Sequence, residues 1–103
     1  MILIVPDEIT ELTANYNPER MQIDISWKPP NKPNGEINAY YLEISIEDVL
    51  VTADKPPLIY NATRFIYDVP KLCRSYKIYV SASTSAGKGK NASITVNATP
   101  PGK

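Results

Sequence analysis

Met21-Gln22-Ile23-Asp24-Ile25-Ser26-Trp27-Lys28-Pro29-Pro30 is the stretch on which the fold turns. Met21, Ile23, Ile25 and Trp27 alternate with Gln22, Asp24, Ser26 and Lys28. A repeat of two places four large apolar side chains on one face of a strand. Pro29 and Pro30 end the run, because proline has no N–H to give to a sheet ladder. A strand with one apolar face must lay that face on something, and the rest of the chain supplies partners of the same kind.

Downstream, the proline-rich break closes with Asn34-Gly35, and the next run is Ile37 to Ile46. Within it Tyr40, Leu42, Ile44 and Ile46 share one face, and Tyr41, Glu43, Ser45 and Glu47 share the other. Residues 48–63 are ambiguous: Val49-Leu50-Val51 suits a short strand, and Lys55-Pro56-Pro57 interrupts the residues after it. Phe65, Tyr67 and Val69 alternate until Pro70. In residues 76–83, Tyr76, Ile78, Val80 and Ala82 are expected inward, and Lys77, Tyr79, Ser81 and Ser83 outward. Residues 84–90 form a small-residue loop whose glycines suit a tight turn. Ile94 and Val96 mark a last strand. Upstream, Ile9 and Leu12 lie in a first edge strand, and Asn15 to Arg20 read as a turn. No segment holds a period of 3.6. Seven strands separated by turns predict an all-β, two-sheet antiparallel sandwich.

At 103 residues the chain is expected to be one domain, with residues 1–5 and 99–103 as linker-like ends. Lys+Arg and Asp+Glu balance at 11 each, so no net field draws it to nucleic acid. There is no histidine, which removes Ser-His-Asp and Cys-His nucleophile pairs and most zinc sites. One cysteine excludes an internal disulfide. No cofactor or metal site is expected. The apolar start lacks a basic region and meets Pro6 after five residues, so it reads as neither a signal peptide nor a membrane span. The chain therefore reads as a module of a longer protein.

These residues carry a resemblance. Trp27-Lys28-Pro29-Pro30, then Asn34-Gly35 with Ile37 and Tyr40-x-Leu42-x-Ile44, then Tyr76-x-Ile78-x-Val80-x-Ala82 with Thr84 and Gly87-x-Gly89, resemble a fibronectin type III domain in order and spacing. The resemblance covers nearly all of the chain and implies that Trp27 packs across the core. It also implies that Tyr76 makes a corner, its hydroxyl bonding back to upstream backbone. The chain departs from the family's Leu-x-Pro-x-Thr-x-Tyr at residues 70–76, leaving Leu72 or Val69 for the apolar slot. The run from Tyr76 to Thr84 looks like strands of receptor-type tyrosine phosphatase ectodomains.

Three sequons occur, at Asn61, Asn91 and Asn97. Eight Asn and 14 Ser+Thr predict roughly one by chance. Asn97 shares parity with Ser93 and Thr95 and should point outward, with Pro100 lowering its use. Cys73 reads first as a small apolar filler, with an intermolecular bridge or a reactive thiol as alternatives. Tyr41 and Tyr79, flanked by Glu43 and Lys77, form either a protein-contact patch or a cross-strand pair that steadies the sheet. The small loop at Gly87 lacks an Arg-Gly-Asp sequence, so integrin binding by that route is not expected. The implied function is a non-enzymatic extracellular module of a membrane-anchored cell-surface receptor. Its partners would be neighbouring domains of its own chain and a further protein, and in isolation it would be monomeric. An intracellular scaffold module of the muscle-protein type is the alternative. A cytokine-receptor-like module is a second, weakened by the lack of paired cysteines and of a Trp-Ser-x-Trp-Ser motif.

Overall fold

The computed structural model describes residues 4–46, 49–50, 58–60, 62–70 and 73–98. Its strands are β1 (Thr10–Asn17), β2 (Gln22–Lys28), β3 (Ala39–Ile46), β4 (Val49–Leu50) and β5 (Leu58–Tyr60), then β6 (Arg64–Asp68), β7 (Arg74–Thr84), β8 (Gly87–Lys88) and β9 (Ala92–Ala98). One sheet has the order β1-β2-β6. In the other, β3 and β7 pair along their length; β4 and β5 share the free edge of β3, and β8 and β9 share that of β7. Among the described residues, nine segments thus fill seven strand positions, all antiparallel. This is the expected two-sheet sandwich.

Alternation decides which side chains meet between the sheets. Ile23, Ile25 and Trp27 of β2 face Tyr40, Leu42 and Ile44 of β3 and Tyr76, Ile78, Val80 and Ala82 of β7, all of them buried. Two aromatic pairs bridge the layers at opposite ends of this aliphatic centre. Trp27 meets Tyr40 edge-on at 5.6 Å between ring centroids, and Tyr67 meets Tyr76 at 5.9 Å. Burial raises the phenol pKa of Tyr40, and that of Tyr67, to which the Tyr76 hydroxyl adds.

Four expectations need correction. Met21 lies outside β2 in a left-handed conformation (φ 54°) and is 38% exposed, because the turn must close before the ladder starts. β1 runs on to Asn17, so the turn begins there rather than at Asn15; the Asn17 Oδ1 accepts the amides of Glu19 and Arg20. Ser81 and Ser83 keep the outward parity but are buried, as is Ser45. Short side chains in the paired interior of a sheet sink below their longer neighbours. Cys73 is no filler: it is exposed, with a free thiol and a left-handed backbone (φ 58°). Val69 is buried and occupies the apolar slot at the corner, its amide bonded to the Met21 carbonyl. Leu72 lies outside the described residues.

At one pole, the chain before β1 is clamped between two loops. Asn34 donates to the Val5 carbonyl, Lys90 to that of Pro6, and the Asp7 amide donates to Lys32. Gly89 lies so close that a Cβ there would stand 2.4 Å from the Pro6 oxygen. Ala98 lies at the far pole, paired with Arg74, whereas β7 ends at Thr84 beside this clamp. An 11-residue strand separates the two poles by about 35 Å.

Candidate functional site

The candidate residues converge on the outer face of the β3-β7-β9 sheet, and register places them in rows. Tyr41 pairs with Ser81, Glu43 with Tyr79 and Ser45 with Lys77 across β3 and β7. On the other side of β7, Tyr79 pairs with Ser93, Lys77 with Thr95 and Ser75 with Asn97. Tyr41 and Tyr79 are therefore diagonal neighbours, about 7–8 Å apart at the backbone. Both are half-buried. Among the described residues no ring contact joins them; instead the Lys77 ammonium stands 5.4 Å from the Tyr79 centroid. The steadying partner of Tyr79 is thus a cation on its own strand.

Asn97 lies on this face, exposed like Ser93 and Thr95, and accepts a 2.6 Å hydrogen bond at Oδ1 from the Ser75 hydroxyl. Asn91 reaches the same face by a different route. Between the Ser83–Lys88 pair and the Val80–Ala92 pair the register slips by one residue, so residues 89–91 form a bulge opposite Ala82 and Ser81. The bulge turns Asn91 outward beside Ser81. Its Oδ1 accepts from the Lys88 ammonium at 3.1 Å, and the residue is exposed. In both exposed asparagines the amide oxygen is held by a neighbouring side chain, and the amide nitrogen is the atom that carries a glycan. Asn91 shares parity with Ser93, Thr95 and Asn97, so alternation along β9 points it outward as well; the bulge is what brings that parity into line with β8. Asn61 lies outside the described residues.

The outer face of the other sheet is polar and self-paired. Arg64 of β6 grips Asp24 of β2 through two hydrogen bonds, of 2.9 and 2.6 Å. The hydrogen bond to Arg64, helped by its charge, holds the Asp24 carboxyl below the usual carboxylate range. Lys28 and Glu11 pair at 3.5 Å, and Gln22 donates to Asp68 at 2.9 Å. Exposed pairs of this kind add little stability. Ile66 is the large apolar side chain left exposed among them. Surface depressions beside Asn38 and Arg64 are open hollows. Among the described residues no three His, Cys, Asp or Glu side chains gather as a metal ligand set.

Residues 7–99 match the fibronectin type III domain family. Among solved structures, the chain superposes on domains d3–d4 of the rat CD45 extracellular region with a TM-score of 0.78 at 16% identity, covering 91% of this chain and 50% of that one. It superposes on the twitchin kinase region from C. elegans with a TM-score of 0.76 at 15% identity, covering 95% and 17%. For a titin segment the TM-score is 0.69 at 19% identity, with 92% and 32% covered. The chain thus spans half or less of each of these chains, and at such identities the likeness shows the fold alone. No curated protein matches this chain in sequence.

Proposed function

The chain belongs to the fibronectin type III family, and we propose that it works as a non-catalytic extracellular module of a cell-surface receptor, a spacer within a tandem ectodomain. The observation that carries this reading is the presentation of Asn91 and Asn97 on one sheet face, both exposed, each with its amide oxygen held by a neighbouring side chain. The fold alone does not choose, since it is shared with an extracellular region and with a kinase region. A glycan is compatible only with passage through the secretory route. The run from Tyr76 to Thr84, which looks like strands of receptor-type tyrosine phosphatase ectodomains, supports such a receptor as the parent, with any catalysis elsewhere in it. Attachment points at opposite poles suit serial linkage to neighbouring domains, with the module itself monomeric.

An antibody raised against this module tests the placement on cells that express the full-length parent protein. It should label intact cells. Labelling only after permeabilisation would refute the reading and favour the intracellular scaffold.

A further inference from the structure

We propose that an N-linked glycan on Asn91 lies back on the Tyr79 ring, so that the Tyr41–Tyr79 face cradles the first sugar of the chain's own modification. The inference rests on the extracellular reading above.

Asn91 adjoins Ser81 across the bulge, and Tyr79 is the next outward residue along β7. One strand spacing and one two-residue step put the two about 8 Å apart at the backbone, within reach of a single pyranose ring. Lys88 holds the Asn91 amide oxygen and so orients the nitrogen that bears the sugar. Ser81, between Asn91 and Tyr41, is fully buried, and its hydroxyl has no hydrogen-bond partner among the described residues. Neighbouring side chains therefore close over Ser81, and a sugar on Asn91 meets the Tyr79 ring rather than the Ser81 side chain. Lys77 approaches the Tyr79 ring from the next position along the strand, away from Asn91. The C–H bonds on one face of N-acetylglucosamine are weakly positive and suit the negative face of an aromatic ring. Asn97 offers an internal contrast: its neighbours in the register are Ser75 and, one step on, Lys77, with no aromatic beside it.

The chemistry is a group transfer that needs a polyisoprenyl pyrophosphate-linked oligosaccharide. The Asn91 amide nitrogen attacks the anomeric carbon, an N–C bond forms, and the C–O bond to phosphate breaks. The pyrophosphate leaves with the lipid and the nitrogen loses one proton. Ser93 supplies the hydroxyl that the sequon requires.

The test uses secreted glycoprotein trimmed by an endoglycosidase to one N-acetylglucosamine per site, made with native Tyr79 and as Tyr79→Ser. Asn91→Gln, which keeps an acceptor for Lys88, removes the sugar in each background. Loss of the sugar should lower the thermal midpoint by about 4 °C when Tyr79 is present, a shift that one aromatic contact commands, and by less than half of that in Tyr79→Ser. In NMR spectra, protons of the Asn91 sugar should show upfield ring-current shifts that vanish in Tyr79→Ser, and equally in Tyr79→Leu should the serine variant fail to fold. Equal midpoint losses in both backgrounds, or a sugar without ring-current shifts, overturn the inference and leave the face to another protein. Glycan at Asn61 or Asn97 but not at Asn91 overturns it while the extracellular reading stands. No glycan at any of the three overturns that reading as well.

Discussion

Trp27 shows how a single side chain ties the two layers together. It comes from β2 and meets Tyr40 of β3 edge-on, with 3% of its surface exposed. Trp27→Ala should cost about 3–5 kcal/mol, because the neighbouring isoleucines cannot collapse fully into the space. Thermal unfolding should register a midpoint lower by about 15 °C or more. An unchanged midpoint would mean that the β2 face is assigned wrongly. At this scale the sequence was informative where a side chain is large and its strand regular. Trp27, Tyr40, Leu42, Tyr76, Ile78 and Val80 are all buried as alternation required. It was uninformative where the backbone departs from a strand. Met21 and Cys73 both take left-handed conformations, and neither residue type signals one. Ser81 was missed for another reason: parity gives the direction of a side chain, whereas burial also depends on the length of its neighbours.

Among the elements, two irregularities do the positioning, and both were invisible to a count of alternating residues. In β1 the register shifts between Thr10 and Thr13, with Glu11 at φ 50°. That shift lets Ile9 and Leu12, three positions apart, both reach the core, which strict alternation forbids. In the β8–β9 strand position the bulge at 89–91 carries Gly89 under the Pro6 carbonyl and turns Asn91 outward. Gly89→Ala would drive a methyl group into backbone rather than into a flexible side chain. It should cost about 1–3 kcal/mol. It should also abolish the hydrogen-exchange protection of the Lys90 amide, which bonds to Pro6. A protected Lys90 amide in that variant would show that the clamp on residues 5–7 does not depend on the glycine. By contrast, the turn at Ser85-Ala86 was legible, because Gly87 supplies the φ of 127° that closes it.

For the whole molecule, the sandwich was legible because its strong runs, 22–28, 39–46 and 74–84, are long and regular. At the edge beside β3, Val49-Leu50-Val51 suited the short strand found as β4, but β5 was not foreseen, since a three-residue piece after Lys55-Pro56-Pro57 carries too little pattern. The candidate site was largely legible: Tyr41, Tyr79 and Asn97 were placed by parity, which Asn91 shares, and the sheet register shows that these strands bring them onto one face. On the proposed reading, that shared face is where the spacer would carry its sugar. Chain attachments stand at its two poles. The most direct measurement is the intact mass of the domain secreted from mammalian cells behind a signal peptide, before and after glycosidase. Glycan mass at Asn91, with lower occupancy at Asn97 because of Pro100, is the predicted result. A folded, secreted and unmodified domain would contradict the account and leave the sequons as coincidences of composition.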